Sequence, residues 1–338
     1  MSAIPLIRAA ALSPYFEGLD SIGVPVEALL DAVRLPRAGE LRPDVAIPYQ
    51  QVLDFIAVTA RALGAETLPA AIARKANLDH LGSWGRLLGR SKTLGEFLQT
   101  VTETSWMHTN GARWWLADAG ADVLLCNRLD RRLDLGRGDA LALWLGFAID
   151  PIRRTLGADF VPAEVTVVRP LPIPLDSLGI PLRARVAGMN SIRIPRSALG
   201  AATASWRRLV CGSEDLLGQL RNTAPAGEFV ESVRQALRPL CAGARIDLES
   251  FAEAARMRPR TLQRRLGESG ATFSGIVQEV QFARAIEMMS RTDVKLIDVA
   301  LELGFSDPAH FTRAFRRWSG RAPREFRGTL DGRAHLES

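Results

Sequence analysis

Apolar and polar residues in the first part of the chain follow the spacing of amphipathic helices. Residues 48–63 place apolar side chains on one helical face after a proline, and residues 93–106 repeat that pattern. Thr93 and Glu96 stand three residues apart at the start of the second segment, as in a capping box. The spacing therefore predicts two helices in these ranges.

The pattern then changes to that of strands. Residues 111–129 hold two short aromatic or β-branched runs around an Ala-Gly-Ala-Asp turn, which predicts a β-hairpin. A helix is predicted over 139–157, followed by strands over 163–170 and 182–195. Together these elements predict that residues 1–205 form one α+β domain, which would sense a small molecule or form a dimer interface.

Strand patterns are absent from the last third of the chain. The segment 222–229 is rich in Pro, Gly and Ala, which indicates a linker or a domain boundary. We predict a linker over residues 206–227, an all-α domain over 228–330 and a tail over 331–338. The length of 338 residues agrees with two or three domains, since single cores rarely grow beyond about 250–300 residues.

The all-α domain contains a helix with two contrasting faces that begins near Ser306. Ser306 or Asp307 can accept hydrogen bonds from the first free backbone N–H groups, and Pro308 suits the first turn. Arginines occupy the outer faces of this helix. The opposite face must be buried, because it carries large apolar side chains at positions i, i+4 and i+7, which are Phe311, Phe315 and Trp318.

A short amphipathic helix precedes this one, with Ala300 where the two helices cross and Gly304 in the turn between them. This arrangement is the helix-turn-helix pattern. An earlier copy lies within residues 248–270, where Ala252 corresponds to Ala300. Its apolar anchors, in the places of Phe311 and Phe315, are Leu262 and Leu266. Residues 272–290 predict one long joining helix, whose apolar positions are Ile276, Val280, Ala283 and Met288.

Charge favours a polyanionic partner. The formal net charge is +6, and the arginines are concentrated in the two helix-turn-helix copies. The cluster in the first copy comprises Arg258, Arg260, Arg264 and Arg265. The cluster in and after the second copy comprises Arg313, Arg316, Arg317, Arg321, Arg324 and Arg327.

The two copies, about 49 residues apart, resemble the DNA-binding domain of the AraC family (AraC/XylS type) of transcription regulators over residues 230–330. The motifs are RTLQRRL at 260–266 and LELGFSDPAHFTRAFRRWSGRAPREFR at 301–327, which ends in the run Gly320, Pro323, Phe326 and Arg327. The N-terminal region resembles the arabinose-binding-domain-like sensor, an α+β domain, that accompanies this module in one branch of the family.

The resemblance implies that the second helix of each copy enters the major groove, with the two helices about 34 Å apart on one face of DNA. Carried over position by position, it implies DNA contacts from Arg260, Gln263 and Arg264 in the first copy and from Pro308, Ala309, His310, Thr312 and Arg313 in the second. Since Pro308 and Ala309 cannot donate side-chain hydrogen bonds, the first helix is expected to specify sequence more strongly.

Three residues depart from the family pattern. Arg256 occupies a tight-turn position that prefers Gly, at some backbone cost. Arg258 replaces a capping Ser or Thr, and Gln281 replaces an Arg in the joining helix. We expect these changes to weaken the first copy and to remove one phosphate contact.

No metal, cofactor or catalytic site is predicted. The Cys and His residues are too widely spaced for a disulfide framework or a metal pair, and we interpret the cysteines as reduced thiols of a cytoplasmic protein. Nucleophile-elbow and phosphate-loop motifs are absent, which disfavours an enzyme tethered to DNA. No apolar run approaches the ~20 residues of a membrane span.

Effector-binding residues are not defined by the sequence. Core packing is the commoner role of aromatic residues in such elements, and ligand contact is the alternative, for Trp84, Trp106, Trp114, Trp115 and Trp144. His108 and Arg113, beside these aromatics, are candidates for binding a carboxylate.

The resemblance implies a ligand-responsive transcription activator with a small-molecule effector. Its partner is a double-stranded DNA operator, which it binds as a homodimer. Contact with RNA polymerase is implied by the resemblance. The alternatives are a ligand-independent DNA-binding repressor and an architectural DNA binder.

Overall fold

The structure is a computed structural model that describes residues 2–63, 68–134, 138–171, 173–203, 215–241, 246–291 and 294–334. Its backbone contacts divide the chain into two compact units. The first comprises residues 2–227, and the second begins at Glu228.

The first unit combines helices with a sheet. Its helices are α1 (Ser13–Asp20), α2 (Glu27–Ala32), α3 (Tyr49–Ala62), α4 (Leu68–Lys75), α5 (Gly82–Leu88), α6 (Leu94–Thr104), α7 (Asp139–Leu156) and α8 (Leu216–Asn222). Its strands are β1 (Leu6–Arg8), β2 (Ala46–Pro48), β3 (Ala112–Ala119), β4 (Asp122–Leu129), β5 (Val165–Val167), β6 (Arg185–Val186) and β7 (Asn190–Pro195). Single 3-10 turns lie at Ala9–Leu12, Ala38–Glu40, Leu78–Leu81, Ser105–Met107, Leu175–Leu178 and Arg196–Ala198.

Five strands form the main sheet in the order β3-β4-β7-β5-β6. The pairs are antiparallel except β5 with β6, and β1 pairs with β2 in a separate two-stranded sheet. The predicted α+β class of the N-terminal region is confirmed. The strand predicted over 182–195 is divided into β6, which pairs with β5, and β7, which pairs with β4 and β5.

The start of α6 shows how local sequence sets a helix boundary. The Thr93 hydroxyl accepts from the Glu96 backbone N–H at 3.1 Å, as predicted. The Glu96 carboxylate accepts from the backbone N–H of Lys92 at 2.7 Å. The reciprocal bond therefore reaches one residue further back than in a standard capping box.

Apolar side chains of the sheet pack against helices on one of its faces. Leu125 and Ile192 from the sheet and Leu145 from α7 belong to one buried cluster. Helices α4 and α7 approach closely at Gly146, where an added Cβ would lie 2.0 Å from the backbone oxygen of Ala73. A side chain at this position would therefore force the two helices apart.

Arg8 joins distant parts of the first unit. Its side chain is fully buried and donates to the backbone oxygens of Met107 and Asp44 at 2.7 and 2.8 Å. It also donates to the oxygen of Leu220 in α8 at 3.1 Å and to the hydroxyl of Thr223 at 3.0 Å. Within the segment 206–227, which the sequence predicts to be a linker, the described residues 215–227 thus include a helix that packs on the first unit.

The second unit is helical throughout its described residues. Its helices are α9 (Phe229–Leu240), α10 (Leu248–Ala254), α11 (Pro259–Glu268), α12 (Phe273–Met289), α13 (Leu296–Glu302), α14 (Pro308–Ser319) and α15 (Pro323–Ala334). The predicted all-α class is confirmed, with two helix pairs, α10–α11 and α13–α14, joined by α12. In the described part of the chain, no helix is long and apolar enough to cross a membrane.

The buried positions of α12 differ from the prediction. Ile276 and Val280 are buried, as expected, but the buried residues of the second half are Ala285 and Met289, and Ala283 is exposed. Ala285 and Met289 belong to the apolar core of the second copy. The first half of α12 instead lies against α9 and α10. The apolar stripe shifts because one helix serves two separate cores.

Candidate nucleic-acid interface

Both helix pairs are connected by the same backbone turn. In the first copy, the N–H groups of Arg256 and Met257 donate to the oxygens of Glu253 and Ala252 at 2.9 and 2.8 Å. In the second copy, the corresponding bonds run from Gly304 to Leu301 and from Phe305 to Ala300, each at 2.9 Å. This pair of bonds is the Schellman motif that ends a helix.

The Schellman motif requires a left-handed residue, and the two copies meet this need differently. The φ angle is 51° at Arg256 and 75° at Gly304. Glycine adopts this conformation without steric cost, whereas other L-residues are disfavoured there by roughly 1–2 kcal/mol. Strain at Arg256 is the outcome that the sequence predicts for the first copy.

The N-termini of the two recognition helices also differ. The Asp307 carboxylate accepts from the backbone N–H of Ala309 at 2.8 Å and caps α14. Arg258 holds the equivalent position before α11 and makes no capping hydrogen bond with its side chain. A first turn without a side-chain acceptor relies on water for its free N–H groups.

The second copy is held together by an aromatic cluster. Phe311 and Phe315 are buried, and the ring of Phe315 lies 5.3 Å from Phe282 of α12 and 5.4 Å from Phe326 of α15. These rings share edge-on or tilted geometries that add to the apolar burial. The cluster fixes the orientation of α14 against both neighbouring helices.

The first copy has a smaller aliphatic anchor. Leu262 and Leu266 of α11 are both fully buried. The guanidinium of Arg265 lies 3.6 Å from the ring centre of Phe229, which brings α9 against α11. Arg234 of α9 also bonds Glu279 of α12 at 2.8 Å. Helix α9 therefore belongs to the support of the first copy.

The structure places the residues predicted to contact DNA opposite these buried stripes. Seven are exposed: Arg260, Gln263, Arg264, Pro308, Ala309, His310 and Arg313. Thr312 is half-buried, and its hydroxyl donates to the backbone oxygen of Pro308 at 2.9 Å. The first three share one face of α11, and the others share the outer face of α14.

The charged groups on α11 and α14 differ in their present partners. Arg264 forms an ion pair with Glu268 one turn further along α11. Arg260 and Arg313 form no ion pair within the described residues. Glu268 was not singled out in the sequence, although the i, i+4 spacing of opposite charges is the signal that would find it.

Gln281 shows what replaces the arginine that the family often has in the joining helix. Its side-chain amide donates to the backbone oxygen of Leu303 at 3.3 Å. Leu303 directly follows α13, so this bond connects α12 to the turn of the second copy. Gln281 thus makes a structural contact within the second unit.

The aromatic residues of the first unit separate into two groups. Trp84, Trp114 and Trp144 line one cavity together with His108. Trp106 is 48% exposed, and Trp115 lies on the β3–β4 hairpin with the Arg128 guanidinium 5.8 Å from its ring centre. Arg113 is exposed and does not line that cavity, so the two candidates for binding a carboxylate, His108 and Arg113, do not belong to one site.

Comparison with known proteins agrees with this geometry. The family model described as a helix-turn-helix domain matches residues 251–329. The model described as the N-terminal arabinose-binding domain of AraC transcription regulator matches residues 23–178.

Two curated relatives from Pseudomonas aeruginosa match the C-terminal region. The ornithine utilization regulator is 36% identical over 81 residues, which cover 24% of each chain. The HTH-type transcriptional regulator VqsM is 37% identical over 83 residues, which cover 25% of this chain and 26% of that one. The chain therefore aligns with about a quarter of the length of these relatives. Among solved structures, the transcriptional regulator CdpR from the same species is 18% identical with a TM-score of 0.38, over 93% of this chain and 96% of that one.

The two helix-turn-helix copies and the matching family models define the domain architecture of an AraC-type transcription regulator. The chain is an AraC-family regulator with an N-terminal arabinose-binding-like domain and a C-terminal helix-turn-helix domain.

Proposed function

We propose that this regulator is a cytoplasmic, ligand-responsive activator that binds a double-stranded DNA operator as a homodimer and contacts RNA polymerase. The observation that carries the DNA-binding part is the construction of α11 and α14. Each helix buries an apolar stripe against its own module and exposes the opposite face. Such a helix can enter the major groove without disturbing its core.

In this proposal α11 reads bases through arginine and glutamine. Arg260 and Arg264 are suited to guanine, and Gln263 is suited to adenine, because each can form two hydrogen bonds to the base edge. Arg264 exchanges its bond with Glu268 for the base when DNA binds. The predicted site thus keeps its strongest donors on the first copy.

Helix α14 supplies a contact that is less specific for sequence than that of α11. Pro308 and Ala309 offer small apolar surfaces, which can meet thymine methyl groups. His310, Thr312 and Arg313 provide the polar contacts of this half. The exposed Arg316 and Arg317 are assigned to phosphates, which fix register rather than sequence.

The first unit is assigned the sensing and dimerising roles. A ligand bound there changes DNA binding only if it has different affinities for two arrangements of the protein. In the proposed mechanism, those arrangements differ in the spacing of the two DNA-binding domains of a dimer.

Selection of bound sequences from random DNA by the full-length protein, followed by footprinting, tests the proposal. The expected result is a motif with two boxes about one helical turn apart on one face. Enrichment of no motif, with binding that depends on salt alone, would favour the architectural alternative.

A further inference from the structure

The first unit contains a partly open apolar cavity between the main sheet and its covering helices. The cavity has a volume of about 100 Å³ and is lined by β3, β4, α3, α5, α6 and α7. Apolar cavities of roughly 150 Å³ hold one benzene ring. The space is therefore smaller than that cavity and can hold no more than one small ring.

The lining is aromatic and without charge. Rings from Tyr49, Phe97, Phe147 and the tryptophans at 84, 114 and 144 contribute to it, and none of the described lining residues is Asp, Glu, Lys or Arg. The nearby cation Arg8 is already bonded to the backbone oxygens of Met107 and Asp44. A charged ligand would lose its hydration here without gaining a counter-charge, which is strongly unfavourable.

Two buried nitrogen atoms of the lining residues lack a partner. Within the described residues, neither Nδ1 of His108 nor Nε1 of Trp144 has a hydrogen bond. Two other polar groups of the lining have partners: Trp84 donates to the Thr104 hydroxyl at 2.9 Å, and the Thr109 hydroxyl donates to the backbone oxygen of Leu6 at 2.7 Å. Buried polar atoms without partners are rare in proteins and call for a ligand or a water.

His108 is positioned and neutral. Its ring stacks on Trp84 with centroids 4.6 Å apart. Burial and then the charge of Arg8 lower the pKa of His108 to about 3. A neutral imidazole carries one nitrogen that accepts and one that donates, and an indole N–H only donates. A hydroxyl group is complementary to both residues, because it can accept from Trp144 and donate to His108.

We propose that this cavity binds a small, uncharged aromatic alcohol of the phenol class, with its ring among the tryptophans and its hydroxyl on Trp144 and His108. Sugars fit poorly, because most of their hydroxyl groups would be buried without a partner. Amino acids fit poorly because both of their charged groups would be left unpaired. The inference rests on the proposed sensing role of the first unit.

Calorimetric titration of the full-length protein tests the chemistry. The probes are 4-methylphenol, toluene, benzoate, L-arabinose and L-ornithine. We expect saturable binding of 4-methylphenol, toluene binding weaker by roughly tenfold to a hundredfold, as for the loss of two hydrogen bonds, and no binding of the other three. Equal affinity for 4-methylphenol and toluene would overturn the role of the hydroxyl. Binding of arabinose or ornithine would overturn the ligand class.

Conservative variants locate the binding site. Trp144→Phe keeps an aromatic ring and removes the N–H, so we expect roughly tenfold weaker binding of 4-methylphenol and nearly unchanged binding of toluene. His108→Phe keeps a ring against Trp84 and provides a second, independent test with the same expected result. Trp115→Phe, outside the cavity, is the matched control and should change neither affinity. Equal losses for both probes in the two cavity variants would indicate a structural role only.

The outcome for the ligand is separable from the outcome for the proposed function. A protein that selects a two-box operator but does not bind 4-methylphenol is a DNA-binding regulator whose ligand class is not this one, and the inference is then wrong. A protein that binds 4-methylphenol through Trp144 while its operator affinity stays constant at saturation supports the cavity assignment and contradicts ligand-responsive regulation.

Discussion

The two helix-turn-helix copies use the same backbone but distribute their chemistry differently. In the first copy, a left-handed Arg256 and an uncapped α11 support a helix that exposes Arg260, Gln263 and Arg264. In the second copy, Gly304 and the Asp307 cap support a helix whose first exposed residues are Pro308 and Ala309.

The difference separates structural stability from base recognition. The second copy has a favourable turn, a cap and an aromatic core, and the first two residues of its recognition helix, Pro308 and Ala309, have no side-chain donor. The first copy has the better donors on a less favourable scaffold. We infer that the first copy, whose local structure is weaker, reads most of the DNA sequence. The second copy then holds the protein in register on the DNA.

The largest expected effect comes from a direct test of base reading. Arg264→Ala should weaken binding to the selected operator by about 1–3 kcal/mol while leaving nonspecific binding closer to intact, because a bidentate contact to one base is lost. Fluorescence anisotropy with operator and scrambled DNA measures both. Arg316→Ala is the matched control, and it should weaken both equally. If Arg264→Ala also weakens both equally, Arg264 contacts phosphate.

Substitutions at the two turn residues, Gly304 and Arg256, should change helix stability in opposite directions. Gly304→Arg forces a side chain into the left-handed conformation and should destabilise α14 by about 1–2 kcal/mol. Arg256→Gly relieves the same strain and should stabilise α11 by about 1 kcal/mol. Hydrogen exchange of the α11 and α14 amides in the full-length protein reports the two effects separately. Changes of the same sign would show that the two turns are not equivalent.

Substitutions at the two capping positions should change the stability of the helices by about 1 kcal/mol. Asp307→Ala removes the acceptor for the Ala309 N–H and should destabilise α14 by that amount. Arg258→Ser introduces an acceptor before α11 and should stabilise the first copy by a similar or smaller amount. Hydrogen exchange of the α11 and α14 amides measures both effects. No gain from Arg258→Ser would mean that α11 is already satisfied by another group.

The smallest expected effect concerns the competitor of Arg264. Glu268→Gln removes the partner charge on α11 and should raise operator affinity by roughly twofold to fivefold, as for one exposed helical ion pair together with reduced repulsion from phosphates. Glu249→Gln makes the same change of net charge on α10 and is the control. Identical gains in operator affinity from both variants would show that the effect comes from net charge alone.

Most of the second unit could be predicted from the sequence. The helix pairs, the Arg256 strain and the missing cap at Arg258 follow from local spacing, because turns and caps depend on residues within one helical turn. The buried positions of α12 were less predictable. Its two halves belong to different cores, so a single helical period misplaces Ala283.

The first unit was predictable in class but not in detail. The packing of α8 depends on hydrogen bonds from Arg8 to residues more than 200 positions away, and no local pattern encodes them. The cavity is formed by strands and helices that are distant in sequence. From the sequence alone, all the tryptophans of the first unit were equal candidates for ligand contact. Only the fold shows that Trp144 lines the cavity and that Trp106 is exposed.

The division of labour between the copies is tested most directly by measuring affinity for every single-base substitution of the selected operator. The half-site of the first copy is the one whose base preference is lost in Arg264→Ala. We predict that substitutions in that half-site cost about 1–3 kcal/mol each and that those in the other half-site cost clearly less. Equal costs in both half-sites, or larger costs in the half-site of α14, would contradict the account.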